Sequence, residues 1–330
     1  MDDYGFPMTV TVEAPARLHL GFTDLDGGLG RRFGSLGLTL DGLSTELRVT
    51  EAQSFSAAGR GAGRALRWAE FLLERLGLNT AVHIDAVAAI PAHAGLGSGT
   101  QQALAVGTAV SRLFDLGLDS PTVARLLGRG ARSGIGIGAF DRGGFLVDGG
   151  KGASDQPPPV TARLEFPAHW RVLLLFDRRE TGLHGHRETH AFRGLPACTD
   201  LQAGALCRLV MMKILPSLAE ADWTPFARGI GELQDMVGDH FAAVQGGRYT
   251  SAAVAEVLAW CRAQGFAGVG QSSWGPTGFV LVDSETRAHA LLRSVAGRFA
   301  DRGLTWQIAG GRNRGAEIKP GTGVAAQSHA

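Results

Sequence analysis

The chain has 330 residues, of which 45% are hydrophobic and 19% are charged, with 32 basic and 31 acidic side chains. The length predicts two domains, and the composition is that of a packed globular protein with no compositional sign of disorder. A formal charge of +1 with no Lys or Arg block argues against nucleic acid as a partner and favours a small molecule.

Three cysteines and the N-terminal segment bear on the compartment. Cys198, Cys207 and Cys261 form no CxxC pair, so we expect buried thiols in a reducing environment rather than a disulfide framework or a zinc site. Two acidic residues stand near the N-terminus where a secretory signal would be basic. No apolar run reaches the roughly 18 residues that a membrane span needs. The sequence therefore predicts a cytoplasmic protein without a membrane partner.

The first part of the chain carries alternating apolar and polar residues, which predict antiparallel strands. The glycine-rich loop near residue 95 should be followed by a buried helix of small residues, and a second helix should open at Ser120 with Pro121 in its first turn. The other predicted elements here are strands at 8–14, 16–22, 35–40, 44–50 and 80–88, and a helix at about 62–77.

A second glycine-rich stretch occupies 128–152 and contains Gly-Ile-Gly-Ile-Gly-Ala, which nominally matches a dinucleotide-binding fingerprint. We reject that match, because no strand precedes the stretch and the residues that follow predict a strand rather than the rest of a long helix. The chain also lacks the GxxxxGK[ST] pattern of a P-loop.

The segment 154–160, SDQPPPV, is the best linker in the chain. We predict an N-terminal domain over 1–155, a C-terminal domain over 156–314 and a flexible tail over 315–330. An α+β sandwich is expected for the second domain. Its predicted strands are 170–176, 277–283 and 305–309, and its predicted helices are 200–219, 224–245, 250–264 and 285–300.

The segment PAHAGLGSGTQQ (91–102) carries the strongest chemical signal. Its glycines allow backbone N–H groups to turn inward, and the positive end of the following helix favours phosphate or pyrophosphate. A structural glycine turn with a serine cap is the alternative. The residues predicted to hold the anion are Gly95, Leu96, Gly97, Ser98, Gly99, Thr100 and Gln101, with Ser98 also a candidate magnesium ligand.

Three motifs together resemble the GHMP kinase superfamily. They are APARLHLGFTD (14–24), PAHAGLGSGTQ (91–101) and VGQSSWGPTGF (269–279), in the order and spacing typical of these proteins. The resemblance implies an α+β, two-domain GHMP-kinase-like fold, with an N-terminal S5-domain-2-like lobe and a C-terminal ferredoxin-like α/β sandwich.

Within the superfamily the chain is most similar to the beta-ribofuranosylaminobenzene 5'-phosphate synthases. The likeness rests on PARLHLGFTDLDG, GLGSGTQ, RSGIGIGAFDRGGFLVDGG and GQSSWGP. It implies that phosphoribosyl diphosphate (PRPP) and 4-aminobenzoate or 4-hydroxybenzoate are the substrates. The products would be an aryl C-riboside phosphate, carbon dioxide and pyrophosphate, in methanopterin biosynthesis. We favour the amine as acceptor. The oligomeric state stays open, with a homodimer expected as the commonest arrangement for such enzymes.

Two other functions stay open from the sequence. A GHMP kinase typically presents an Asp after the second glycine-rich loop, whereas here no carboxylate occurs before Asp141. An ATP-dependent small-molecule kinase therefore lacks its base, and the transferase needs none. A non-catalytic sensor that kept the predicted phosphate-binding segment 91–102, called the phosphate loop below, is the second alternative.

The resemblance also implies roles for residues outside the phosphate loop. Arg17, His19 and Asp24 would face the cleft and contact ribose or benzoate, although a surface Arg and a packed His are the alternatives. Arg132 and Ser133 would bind a phosphate or the aryl carboxylate. Asp141 and Asp148 would orient ribose or bind Mg²⁺, although Asp at a strand end is often a turn residue.

Two further segments complete the predicted site. The run TGLHGHRETHAF (181–192) could ligate zinc, but we favour a polar loop in which His184 contacts substrate and Glu188 caps a helix or binds Mg²⁺. In the third motif, Ser272, Ser273 and Trp274 would close the cleft. Trp274 could stack on an aryl ring or sugar, with a core Trp as the alternative. The predicted metal ligands are thus Ser98, Asp148 and Glu188.

Overall fold

The computed structural model describes residues 8–179, 194–273 and 275–321. It has a seven-stranded and a four-stranded sheet with helices packed on both, which confirms the predicted α+β class. The strands are β1 (Thr9–Asp24), β2 (Phe33–Ala52), β3 (Ser56–Gly59), β4 (Ala81–Ala88), β5 (Phe145–Asp148), β6 (Val160–Leu164), β7 (Arg171–Asp177), β8 (Val269–Gln271), β9 (Gly278–Val282), β10 (Leu304–Gly310) and β11 (Glu317–Gly321).

The helices divide between the two sheets. The first sheet carries α1 (Ala62–Arg75), α2 (Ser98–Leu113), α3 (Ser120–Leu126) and α4 (Ile135–Asp141). The later part of the chain forms α5 (Asp200–Leu209), a π-helical turn (Val210–Ile214), α6 (Leu215–Ala219), α7 (Trp223–Gln245), α8 (Ala252–Ala263), α9 (Glu285–Arg298) and a short 3₁₀ turn (Ala300–Arg302).

A long antiparallel pair, β1 with β2, forms the centre of the first sheet. Its register runs from Thr9 opposite Thr50 to Asp24 opposite Phe33, with two irregularities on the way. The main path of the sheet is β11-β1-β2-β4-β3, and β5 pairs with β2 as well as β6. The first motif therefore lies along a central strand, covered by α2 on one side.

Two predicted boundaries need correction. β6 lies beyond the predicted domain boundary at residue 155 but pairs with β5 in the first sheet. β11 lies within the predicted flexible tail at 315–330, yet it pairs with β1 from Thr9 opposite Gly321 to Glu13 opposite Glu317. The tail prediction is wrong for these five residues, because an edge strand gains its order from backbone pairing rather than from apolar periodicity.

The second sheet has the order β10-β7-β9-β8 and is antiparallel throughout. β7 serves two cores, since successive side chains of a strand point to opposite faces. Val172 and Leu174 join the cluster that contains Leu18 of β1, whereas Leu173 and Leu175 pack in the cluster formed with α8 and α9. The core thus continues from one sheet to the other.

The predicted helix at 200–219 is interrupted by the π-helical turn. Pro216 has no N–H to offer the carbonyl four residues earlier, and the backbone widens so that the N–H of Leu215 bonds to the carbonyl of Val210 instead. By length and composition alone this stretch could cross a membrane. Its buried side chains recur at helical spacing, at Ala203, Leu206, Val210, Ile214 and Leu218, which is typical of a helix packed on a protein core.

Candidate active site

The three motifs meet around a cavity of about 220 Å³ between the two sheets. The loop 91–97 leads into α2, and the loop between α3 and α4 faces it. The third motif approaches from the second sheet. The lining residues are Arg17, His19 and Phe22 of β1, Thr100 of α2, residues 128–133, Gly136 of α4 and Ser273.

The N-terminus of α2 has uncapped backbone N–H groups. Gly97 precedes the helix with φ 82°, a left-handed conformation that favours glycine. No side chain caps the helix and no acidic residue stands in its first turn. The N–H groups of Ser98, Gly99 and Thr100 therefore keep their donor capacity, and the positive end of the helix macrodipole lies at the same place.

Gly95, the first glycine of the phosphate loop, is held by hydrogen bonds from both sheets. The Gly95 carbonyl accepts hydrogen bonds from Arg17 Nη1 and from Ser272 Oγ, each at 2.7 Å. Arg17 also donates its main-chain N–H to the Leu96 carbonyl at 3.1 Å. Gly95 and Gly275 approach so closely that a Cβ built on Gly275 would lie 2.6 Å from the Cα of Gly95. The position of the loop therefore depends on the third motif.

His19 is a buried histidine that contacts the third motif beside Arg17. It is 4% exposed, and its Nδ1 lies 2.8 Å from Ser273 Oγ, while its carbonyl accepts the Ser273 N–H at 3.1 Å. Burial, and secondarily the positive charge of Arg17, holds the pKa of His19 well below its ordinary value. The imidazole ring also lies 4.7 Å from the ring of Phe22. His19 can thus present an uncharged hydrogen-bonding group to the cavity.

The burial of His19 predicts a pH-dependent stability. A histidine whose pKa is lowered by folding stays neutral in the folded protein, while the unfolded chain binds a proton below about pH 6.5. The free energy of unfolding should therefore fall as the pH drops below that value, by up to about 1.4 kcal/mol per pH unit. In His19→Gln this contribution should be missing, as urea unfolding between pH 7.5 and 5.5 would measure.

The control for this experiment is His289→Gln, which removes an imidazole from the exposed face of α9. If the stability of the wild-type protein and of His19→Gln changed in parallel over the same pH range, His19 would not be neutral in the folded protein.

Three arginines give the cavity its charge. Arg17, Arg129 and Arg132 all line it, and no Asp or Glu of the described chain does. Arg132 was among the residues predicted from the sequence to bind an anion, and Arg129 was not. Its position between two glycines, Gly128 and Gly130, in the second glycine-rich stretch was the available signal. The electrostatic character of the cavity suits a ligand with several negative charges.

Asp148 is the hub that holds the second glycine-rich stretch. Its Oδ1 accepts from the N–H groups of Ser35 (3.1 Å) and Gly150 (2.9 Å). Its Oδ2 accepts from the Gly134 N–H (2.8 Å) and from the hydroxyls of Ser133 (3.1 Å) and Ser35. Burial raises the pKa of this carboxyl, and the same hydrogen bonds act against that rise. Because both oxygens are engaged, the prediction of Asp148 as a magnesium ligand needs correction to a structural role.

Ser133 and Gln101 belong to the same framework. Ser133 lines the cavity but shares its hydroxyl with Asp148 and with Ser35 Oγ at 2.7 Å. Gln101 is fully buried and donates from Nε2 to the Gly136 carbonyl at 2.8 Å. It does not line the cavity, so its prediction as a substrate-binding residue needs correction to a contact with α4. These bonds fix the second glycine-rich stretch against the start of α2.

Two other predicted carboxylates lie away from the cavity. Asp141 ends α4 and lines a separate cavity of about 660 Å³ with Asp119 and Ser120, because the helix carries it away from Gly136. Asp24 ends β1, and its Oδ1 accepts the N–H groups of Asp26 (3.0 Å) and Gly27 (2.8 Å) in a tight turn. Both predictions of cleft-facing catalytic groups are therefore corrected.

Comparison with known proteins identifies the family. The model of the GHMP kinases N terminal domain matches residues 64–145, and that of the GHMP kinases C terminal matches 214–301. A beta-ribofuranosylphenol 5'-phosphate synthase from Archaeoglobus fulgidus is 33% identical over 328 residues, covering 93% of this chain and 99% of the relative. The chain belongs to the beta-ribofuranosylphenol 5'-phosphate synthase family of the GHMP kinase superfamily. A second synthase of this name, from Methanothermobacter thermautotrophicus, is 29% identical over 92% of this chain and 97% of its own length.

Solved structures agree on the fold. A homoserine kinase from Cytophaga hutchinsonii superposes with a TM-score of 0.67 at 18% identity, covering 94% of this chain and 97% of its own. A mevalonate diphosphate decarboxylase from Staphylococcus aureus gives 0.66 at 15% identity, with 95% and 98% covered. The predicted GHMP-kinase-like fold is confirmed, and membership of a synthase family makes this protein an enzyme.

The remaining predicted site residues include three outside the described part of the chain and the predicted magnesium ligands. His184, Glu188 and Trp274 lie outside the described residues. Within the described ranges, no group of three His, Cys, Asp or Glu side chains could hold a metal ion. Of the predicted magnesium ligands there, Asp148 is saturated and Ser98 is 8% exposed at the start of α2. The described side chains do not fit a magnesium site held by protein carboxylates.

Proposed function

We propose that this enzyme transfers the ribose 5-phosphate of PRPP to a 4-substituted benzoate, releasing carbon dioxide and pyrophosphate, as a step of methanopterin biosynthesis. The observation that carries the proposal is the cavity itself, where three arginines and an uncapped helix N-terminus face one another without a described carboxylate. The names of the relatives support a ribosylated phenol as the product. We therefore propose 4-hydroxybenzoate as the acceptor in place of the amine favoured from the sequence.

The proposed reaction exchanges one set of bonds for another. The bond between C1' of the ribose and the pyrophosphate oxygen breaks, and the electron pair leaves with pyrophosphate. The ring carbon that bears the carboxylate attacks C1', pushed by the oxygen para to it. The bond to the carboxylate then breaks, carbon dioxide departs, and its electron pair restores the aromatic ring. No hydroxyl of an acceptor has to be deprotonated for the new bond to form.

The cavity residues suit this chemistry. Departing pyrophosphate gains charge, which the N–H groups of α2 and the arginine guanidinium groups would stabilise. His19, being neutral, would not trap the carboxylate of the acceptor as a charged partner would. Phe22, the described aromatic residue of the cavity, offers a ring to the aryl acceptor.

Magnesium remains part of the proposal as a companion of the substrate. When bound to diphosphate oxygens it would supply charge neutralisation, and the Ser98 hydroxyl is the described candidate to contact it. We also propose that the enzyme is cytoplasmic and forms a homodimer, the commonest arrangement of soluble oligomeric enzymes.

A kinase reaction fits the described cavity less well. Transfer of a phosphoryl group to an alcohol uses a positioned carboxylate to accept the hydroxyl proton. Asp24 accepts backbone N–H groups in a tight turn, and Asp141 lines a separate cavity. Both carboxylate oxygens of Asp148 already accept hydrogen bonds. The arrangement therefore favours a reaction that does not begin with deprotonation.

The experiment that tests the proposal follows carboxyl-labelled benzoates. Purified protein with magnesium should release labelled carbon dioxide only when PRPP is present, and more rapidly from 4-hydroxybenzoate than from 4-aminobenzoate. One pyrophosphate should be released for each carbon dioxide. Faster release from the amine would reverse our assignment of the acceptor.

Two other results would contradict the proposal. Absence of labelled carbon dioxide together with ADP formation from ATP and a sugar or polyol panel would make the protein a kinase. Absence of both reactions, with PRPP still bound in calorimetry, would favour a ligand sensor.

A further inference from the structure

We infer that Arg129 binds the diphosphate group of the substrate at the first turn of α2. The inference rests on the proposed function for the identity of the ligand, but its residue was not among the predicted site residues. Arg129 lies in the loop between α3 and α4, on the wall of the 220 Å³ cavity that faces α2. It would be a substrate-binding residue that acts together with the helix N-terminus.

The position of the guanidinium group supports this role. A methyl group built on Gly99 would lie 3.8 Å from Nη1, 3.9 Å from Cζ and 4.0 Å from Nη2 of Arg129. Gly99 is in the first turn of α2, where the backbone N–H groups keep their donor capacity. The guanidinium donors and the helix N–H groups thus converge on one small volume. A diphosphate offers enough oxygens to accept from both.

The side chain is also held in place before any ligand arrives. Its Cζ lies 4.6 Å from the ring centroid of Trp68 on α1, a cation–π contact. Its main-chain N–H bonds to the Ala124 carbonyl at 2.6 Å, and the flanking Gly128 and Gly130 both adopt left-handed φ angles, 63° and 73°. A preorganised guanidinium loses little conformational freedom on binding, which favours tight and selective anion recognition.

The other two arginines of the cavity have different surroundings. Arg17 uses Nη1 to hold the Gly95 carbonyl, and its side chain packs against Gly97. Arg132 precedes Ser133 in the loop that leads into α4, and it also lines the cavity. These different surroundings leave Arg132 to bind the ribose phosphate and Arg129 to bind the diphosphate at α2.

Direct binding of inorganic pyrophosphate tests the assignment without relying on turnover. Calorimetry with magnesium would compare wild-type protein with Arg129→Ala, Arg129→Lys and the control Arg125→Ala. Arg125 is an exposed arginine at the end of α3 and does not line the cavity. We expect the dissociation constant of pyrophosphate to rise about 10- to 100-fold in Arg129→Ala, because a hydrogen-bonded charge is lost. Arg129→Lys should lie between, since lysine keeps the charge but not the planar fork.

The outcomes are distinguishable from those of the proposed function. Unchanged pyrophosphate binding in Arg129→Ala, with a large loss in Arg132→Ala, would overturn the inference. If Arg129→Ala failed to fold by circular dichroism, Trp68→Phe and Arg129→Lys would carry the test, and wild-type affinity in Arg129→Lys would count against it. Loss of pyrophosphate binding in a protein that releases no carbon dioxide would uphold the Arg129 assignment while contradicting the transferase reaction.

Discussion

Replacing Gly275 with alanine should lower kcat/KM for carbon dioxide release by about 100-fold or more. The new Cβ would lie 2.6 Å from the Gly95 Cα and 2.7 Å from the Ala94 carbonyl oxygen, so the backbone of the phosphate loop or of the third motif has to shift. A displacement of about 1 Å in a group that positions substrate can cost a factor of about 100. Steady-state kinetics with labelled 4-hydroxybenzoate, together with pyrophosphate binding, would measure the loss.

The matched control is Gly297→Ala in α9. No atom lies within 4 Å of a Cβ built there, and the position is inside a helix. Alanine should leave activity unchanged and raise stability by about 0.5–1 kcal/mol. A Gly275→Ala protein that kept wild-type kinetics would mean that the contact between Gly95 and Gly275 does not position the phosphate loop.

Long elements with a clear period were predictable from the sequence. The alternation in β1 and β2 identified those strands, because burial of one face leaves a period-two pattern. Short strands carry no such pattern. β8 has three residues and β11 has one intermediate and four exposed residues, so backbone pairing with β9 and β1 decides their structure.

The short helix α4 likewise could not be predicted from local sequence. Gly136 and Gly138 lie within it, and glycine disfavours a helix by about 1 kcal/mol per residue. Tertiary hydrogen bonds compensate for this, since Asp148 accepts the Gly134 N–H and Gln101 donates to the Gly136 carbonyl. Both partners are distant in the chain, so local sequence could not indicate the helix.

The part of the site formed by the first and third motifs was predictable from the sequence. Arg17, His19, Ser272 and Ser273 were expected to share a cleft, and their hydrogen bonds place them together. The carboxylates were the weak part of the prediction, because an Asp in a glycine-rich segment serves equally well to fix backbone N–H groups. Arg129 was missed because its neighbours, Trp68 and the first turn of α2, come from other parts of the fold.

Asp148 therefore separates a structural from a metal-binding interpretation of the second glycine-rich stretch. Asp148→Ala would leave the buried N–H groups of Ser35, Gly134 and Gly150 without their acceptor. We expect the free energy of unfolding to fall by about 3–5 kcal/mol, since each abandoned donor costs about 1–3 kcal/mol and partial relaxation recovers some of it. Urea unfolding at pH 7 would measure this, with Asp155→Ala on the exposed linker as a control expected to stay within about 0.5 kcal/mol.

Asp148→Asn should lower the free energy of unfolding by less than Asp148→Ala, because one acceptor oxygen remains. A protein carrying Asp148→Asn that kept full stability but lost activity, with activity restored by excess magnesium, would instead make Asp148 a metal ligand, since a purely structural carboxylate has no means to respond to the ion.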